Sequence, residues 1–313
     1  MYHRILNPKD VQGSIEPGMY VTPGTFNMHL QFLTKHFSIV SLNNIMTQSE
    51  STSGEKPLCA ITFDDGWLDF KTKAFPLLQK YSVPATVFLP TDYIGTYKMF
   101  WTDILAEVMK ESDRATEFQG NEDKTRSAVV KQVLAMQGTY ETKLDNAIKL
   151  LKTLMPQQIS DAIKELARVS GILETTNNRV FLNWDEVIDL KESGLVTFGS
   201  HSVHHHLLTS LQPLDVYAEL LESQKTLLEK KAVTPQFLSF CYPNGNVTTS
   251  IAMQTRQAGY HLAVTTKPGW CNTSDFPFML NRLGIHQDIS STKGLLAYRI
   301  LSCCDGERGL FFG

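Results

Sequence analysis

With 313 residues, 42% of them hydrophobic and 19% charged, the chain has the make-up of an ordinary soluble globular protein, long enough for one barrel-type domain or two average ones. A formal net charge of -3, with Lys and Arg scattered rather than clustered, excludes the broad positive footprint of a nucleic-acid binder. No run approaches the roughly 20 apolar residues that a membrane-spanning helix needs, so no transmembrane segment is expected.

The opening Met1-Tyr2-His3-Arg4-Ile5 lacks the basic segment and apolar run of a secretory signal. Five dispersed cysteines (Cys59, Cys241, Cys271, Cys303, Cys304), without C-x-x-C spacing, argue against a disulfide framework or a cysteine zinc site. Both features read as cytoplasmic for the chain as it stands, with export left open if the N-terminus is trimmed. Along the chain, short apolar runs predict strands at Phe37–Ser41, Leu58–Phe63, Val83–Leu89, Leu195–Gly199, Phe237–Cys241, Leu262–Thr265 and Phe278–Ile285. Helical patterns fall between them. Thr25–Lys35 carries Phe26, Leu30 and Leu33 on one face, Asp185–Ser193 stops at Gly194, and Leu214–Lys231 carries Val216, Leu220 and Leu227. This alternation is that of βα units and a largely parallel sheet.

The alternation breaks over residues 101–178, where only helical stripes occur. Trp101, Ile104, Leu105, Val108 and Met109 form one, and Leu144, Ile148, Leu151 and Met155 another. The segment reads as an all-helical insertion within a single domain spanning 1–313, with a polar loop from Asp113 to Thr125. There is no internal repeat.

Two constellations carry chemistry. Leu58–Phe63 runs into Asp64-Asp65-Gly66, two adjacent carboxylates that raise each other's pKa unless a cation or hydrogen bonds hold them, as suits a metal ligand beside a general base. A simple Asp-Gly turn fits this short stretch equally well. The second, His201-Ser202-Val203-His204-His205-His206, follows another strand. Two imidazoles and a carboxylate leave a cation open to water, as catalytic zinc requires, while a solvated histidine-rich loop is the bland alternative. Both clusters sit at carboxyl ends of strands, where barrels and doubly wound sheets place their sites.

Thr62-Phe63-Asp64-Asp65-Gly66, with His201-Ser202-Val203-His204-His205 and the following Leu208-Thr209, resembles the first two motifs of the polysaccharide deacetylases that share the nodulation chitooligosaccharide deacetylase domain, a carbohydrate esterase type. Supporting similarity runs from Tyr2-His3-Arg4 through Val83–Phe88 and Trp184-Asp185-Glu186 to Gly259-Tyr260. The resemblance implies an α/β fold, a distorted and incomplete (β/α) barrel. It implies Asp64 as catalytic base and Asp65, His201 and His205 as metal ligands, with His204 and His206 outside the ligand set. It further implies one divalent metal ion, with zinc first and cobalt or nickel as alternatives.

The third motif departs from the family pattern, because Cys241-Tyr242-Pro243-Asn244-Gly245 stands where Arg-x-Pro-Tyr-Gly is expected. Arg282, in Leu280-Asn281-Arg282-Leu283, is the candidate replacement that steadies Asp64. The Asn244 backbone N–H is the candidate oxyanion donor. His286, in Leu283-Gly284-Ile285-His286, resembles the family's general acid. His3 takes no assigned role, and Trp270 is a candidate for a sugar-binding wall. The implied activity is metal-dependent removal of N-acetyl groups from an amino-sugar oligo- or polysaccharide, with an acetylated carbohydrate as the partner. Alternatives are an O-acetyl esterase or non-sugar amidase on the same site, or a non-catalytic carbohydrate-binding protein.

Overall fold

The computed structural model describes residues 1–11, 19–45, 56–114, 127–173, 175, 178–272 and 275–303. The chain divides into two compact units, one made of Met1–Asn7, Pro17–Thr96 and Phe181–Gly313, the other of Pro8–Glu16 and Tyr97–Val180.

In the first unit, β1 (Arg4–Ile5) pairs in parallel with β2 (Tyr20–Val21), and β3 (Ser38–Ile39) with β4 (Leu58–Cys59). Five further strands form one parallel sheet in chain order: β5 (Ile61–Phe63), β6 (Ala85–Leu89), β7 (Val196–Ser200), β8 (Ser239–Cys241) and β9 (Leu262–Val264). Apart from Thr197, their residues are all buried, as parallel strands covered on both faces must be. The predicted run Leu58–Phe63 is split at Ala60, because Leu58 and Cys59 pair outward with β3 while Ile61–Phe63 pair with β6. Close packing at the centre depends on Gly199: a Cβ there would sit 2.4 Å from Ser239 Oγ and 2.6 Å from the Phe88 ring.

The helices start and stop where local chemistry directs. α1 (Pro23–His36) has Pro23 at its first position and a Thr22 cap that accepts from Thr25 N, and it buries Phe26, Leu30 and Leu33. α2 (Leu42–Ile45) and α3 (Phe75–Tyr81) follow. After β6 the chain forms the second unit: α4 (Trp101–Arg114), α5 (Ala128–Leu134), α6 (Tyr140–Leu151) and α7 (Pro156–Ser170). These four bury a core of their own that includes Leu105, Val108, Val130, Ile148, Leu151 and Leu166. Met155 is not part of it; 45% exposed, it is the residue that caps α7 rather than a member of the α6 stripe. Of the expected polar loop, Asp113 and Arg114 close α4, and the remainder lies outside the described residues.

The chain returns with α8 (Trp184–Glu192), opened by a reciprocal Asn183–Glu186 cap and followed by Gly194 at φ 74°. α9 (Pro213–Glu229) buries Val216, Leu220 and Leu227, together with Glu219 and Ser223. α10 (Thr249–Gln257), α11 (Gln287–Ser290) and α12 (Lys293–Leu301) complete the unit. Among the described residues, no helix is long and apolar enough to cross a membrane.

The sheet is a curled half-barrel continued on both edges by single backbone bridges, Tyr2 beside Phe63 and Leu280 beside Val264. Ile285 N donates to Met1 O, drawing the two edges together. The predicted strand Phe278–Ile285 therefore does not form. Leu280 makes one ladder step, donating to Ala263 O and accepting from Thr265 N. The next step would need Thr265 O, and the Arg282 side chain takes that carbonyl through Nε at 2.7 Å, while Arg282 N turns to Lys267 O. An apolar cavity of about 380 Å³ lies along this incomplete closure, lined by Leu58, Ile61, Trp270, Leu280 and Leu296 among others.

Candidate active site

Three strands of the sheet, β5 at one edge and the adjacent β7 and β8, deliver the site at their carboxyl ends. β5 leads into Asp64 and Asp65, β7 into His201, and β8 ends on Cys241. The backbone then bends sharply. Six non-glycine residues among those described have positive φ, and Asp65, Ser202, His205 and Asn244 are four of them. Such conformations cost free energy and persist where surrounding structure enforces them, which here is around the sequence motifs.

Asp65 is buried, and its two oxygens have separate surroundings. Oδ2 accepts from Trp67 Nε1 at 3.1 Å, and Trp67 in turn lies under the Arg4 guanidinium, 4.2 Å from the ring centre. Arg4 is held by Asp69 at 2.8 Å. Oδ1 has no hydrogen-bond partner of normal geometry among the described residues, yet it faces His201 Nε2 at 3.4 Å and His205 Nε2 at 3.3 Å. His201 Nδ1 lies 2.7 Å from the Cys241 carbonyl, which can only accept, so Nδ1 carries a proton and Nε2 is the nitrogen directed at Asp65, open to a second proton or a cation.

An orphaned buried carboxylate oxygen facing two imidazole nitrogens is the donor set of a divalent cation, and these three residues fit one. Burial pushes the Asp65 carboxyl up, but the two imidazoles outweigh it and hold the group well below the usual range. Burial lowers His205 and favours the neutral, ligating form. Burial also lowers His201, but the Cys241 and Asp65 neighbours outweigh it and raise the ring well above its ordinary value, so a cation at Nε2 would compete with that proton.

Asp64, also buried, is occupied differently. Arg282 grips it through two parallel hydrogen bonds, Nη1 to Oδ1 and Nη2 to Oδ2, each 2.7 Å. The same guanidinium donates to Thr62 Oγ1 at 3.1 Å and lies 3.0 Å from Cys241 Sγ, whose thiol is 3.4 Å from Asp64 Oδ2. Burial raises the Asp64 carboxyl, and the charge and hydrogen bonds of Arg282 outweigh it, leaving the carboxyl well below the ordinary value. Asp64, His201 and Cys241 also cluster closely enough to ligate, but a guanidinium clamped on Asp64 repels a second cation, so the Asp65 set is the better candidate.

Of the remaining sequence candidates, Asn244 follows Cys241 by three residues in a left-handed turn at φ 57°. His286 is half-buried at the start of α11. Burial, then the positive field of His3, lowers its pKa below the ordinary 6.5. His3 lies beside the catalytic carboxylate candidate, its Nε2 3.9 Å from Asp64 Oδ2. Trp270 packs on Phe37 and donates to Ile300 O, contacts directed toward α12. Sequence reasoning missed Trp67 and the placement of His3, and it had no basis to expect Glu219, on α9, as the acceptor for Val203 N and His204 N.

Residues 51–263, well over half of the chain, match the family model described as polysaccharide deacetylase. The chain belongs to that family. A curated relative, the poly-β-1,6-N-acetyl-D-glucosamine N-deacetylase of Staphylococcus epidermidis, is 32% identical over 116 residues, covering 34% of this chain and 40% of the relative's length. The chain thus aligns with well under half of that relative. Solved structures share the fold at low identity. The Streptococcus pyogenes deacetylase PplD superposes with a TM-score of 0.59 at 17% identity, covering 97% of this chain and 96% of that one. IcaB from Ammonifex degensii gives 0.59 at 16%, covering 96% and 94%. A Bacillus cereus polysaccharide deacetylase gives 0.58 at 18%, covering 96% and 67%.

Proposed function

We propose that the protein is a metal-dependent N-deacetylase acting on a polymer or oligomer of N-acetylated amino sugars, with the helical unit as an insertion into its catalytic domain. The observation that carries this reading is the pairing of an orphaned Asp65 Oδ1 aimed at two imidazoles with an adjacent carboxylate, Asp64, clamped by Arg282. Membership of the polysaccharide deacetylase family supports it, and the name of the Staphylococcus relative points to N-acetylglucosamine as the sugar.

Asp65, His201 and His205 would hold the ion, zinc by preference for two imidazoles and one carboxylate, with cobalt or nickel also fitting those donors. When bound, such an ion supplies Lewis acidity, polarising an amide carbonyl and bringing the pKa of water toward about 7. Asp64 is the base: Arg282 keeps it ionised, and Oδ2, on the side of the half-buried His3, takes the proton of the attacking water. The Asn244 backbone N–H donates to the developing oxyanion. His286 protonates the departing amine; its lowered pKa makes the imidazolium a stronger acid and a scarcer one at neutral pH. Trp67 fixes Oδ2 of Asp65 so that Oδ1 stays directed at the histidines. A non-catalytic reading rested on the missing third-motif arginine, and the Arg282 guanidinium at Asp64 removes its motive.

The test is acetate release from N-acetylated glucosamine oligomers by purified protein, by chelator-stripped protein and by stripped protein resupplied with zinc. Release that follows the metal and disappears in Asp64→Asn, with zinc still bound, is the expected result. A zinc-loaded protein that frees no acetate from any N-acetylated sugar would overturn the proposal.

A further inference from the structure

The loop after β7 carries four histidines, and only His201 and His205 turn inward to Asp65. His204 and His206 sit on the outer side with side chains 46% and 37% exposed. Beneath them is Glu219 of α9, whose side chain is only 8% exposed. Glu219 Oε2 accepts from Val203 N at 2.8 Å and His204 N at 3.1 Å, which fixes the carboxylate. That brace uses Oε2 alone. Oε1 is directed at the imidazoles instead, 2.5 Å from His204 Nδ1 and 3.8 Å from His206 Nδ1. The two rings stack nearly parallel, centroids 5.3 Å apart at 20°, and all three candidate ligand atoms lie within 4.8 Å of one another.

We propose that His204, His206 and Glu219 form a second divalent-cation site, for zinc or another ion that prefers imidazole, on the outer face of the loop that presents His201 and His205. Bonds of roughly 2.0–2.1 Å around a tetrahedral ion put neighbouring ligand atoms about 3.3 Å apart. The distances of 2.5 and 3.8 Å from Oε1 straddle that spacing, so small rotations of two exposed imidazoles suffice. Glu219 is in the right state: burial raises its pKa, but His204 and the two backbone donors outweigh burial and keep it ionised. Asp92 adds a negative field beside His206. An ion here would join α9 to the loop at His204 and His206, on either side of His205.

The experiment is zinc stoichiometry on the untagged, chelator-stripped full chain, by calorimetric titration and elemental analysis. The wild type should take up two zinc ions and His204→Gln/His206→Gln one. Asp65→Asn should also keep one, and that ion should vanish when the two outer substitutions are added. Uptake by the wild type of a single ion that His204→Gln/His206→Gln retains, or of two ions by His204→Gln/His206→Gln, would overturn the outer site. Loss of uptake in Asp65→Asn alone would show that both ions depend on the inner ligands, and would overturn it too. Because inner and outer ligands are changed separately, failure here is distinguishable from failure of the catalytic reading.

Discussion

In the unit built from Tyr97–Val180, α4, α6 and α7 bury Leu105, Val108, Leu151 and Leu166 completely, and Lys143 is the one buried charged side chain among its described residues. The barrel unit buries Asp64, Asp65, Asp69, His201, Glu219 and Arg282, and it holds all the positive-φ residues other than glycine among those described. The helical unit obeys local rules throughout: regular stripes, a Thr139 cap on α6, a C-terminal glycine at Gly171. The barrel unit breaks those rules at Asp65, Ser202, His205 and Asn244. The contrast teaches where free energy has been traded for chemistry, since buried charge and left-handed backbone stabilise nothing by themselves.

The largest expected effect comes from Arg282→Met, which leaves Asp64 as a buried carboxylate without its cation. Loss of one partner of a buried pair costs roughly 3–5 kcal/mol, so the midpoint of denaturant unfolding should fall by that equivalent and acetate release should collapse. Adding Asp64→Asn to Arg282→Met should recover much of the stability and none of the turnover; a full, additive loss in the double variant would break the contrast. Next, Leu105→Ala opens a cavity in the helical unit and should cost about 2–5 kcal/mol by the same measurement. Zinc affinity should not change, and a drop in affinity would mean that the two units are not energetically separate.

The smallest effect at neutral pH is one of proton linkage. Arg282 holds Asp64 below its ordinary value of 3.8, so the pair's contribution is complete above about pH 3.8 and is lost only as the pH falls through the lower folded value. In Arg282→Met the largest opposition to burial is gone and only the weaker fields of His201 and His3 remain, so the carboxyl should rise, the sign reverse and Asp64 cost stability as the pH rises past 3.8. Unfolding midpoints measured from pH 2 to 7 should therefore carry no Asp64-linked loss above about pH 3.8 in the wild type and a decline below it, while the variant gains stability as the pH falls toward 3.8. Parallel pH profiles would contradict the assigned pairing.

The sheet was legible because parallel strands buried on both faces read as continuous apolar runs: all five sheet strands lie within or beside the predicted segments, with ends moved by up to three residues. Phe278–Ile285 misled because an apolar run does not reveal that an arginine side chain will occupy the carbonyl the ladder needs. At the site, the adjacency of Asp64 and Asp65 and the spacing of His201 and His205 are local, so the sequence displayed them directly. The meeting of Arg282 with Asp64 spans 218 positions and was reached through a gap in a motif, not through any period. Trp67 and Glu219 left no comparable trace: a tryptophan beside a glycine turn and a glutamate on an amphipathic helix look the same whether or not they orient a ligand or a loop.

The arginine that clamps Asp64 also sets an order of events during synthesis. Asp64 leaves the ribosome early, while Arg282 emerges only after β5 to β9 have all been made, at roughly 5–20 residues per second. For about 1–4 seconds at that rate the nascent chain contains every strand of the half-barrel but lacks the cation for one of its most buried carboxylates. During that interval the strand end at Asp64 is best left hydrated. The segment that carries Arg282 thus does more than close the sheet edge: its arrival makes it favourable for the Asp64 pocket to exclude water.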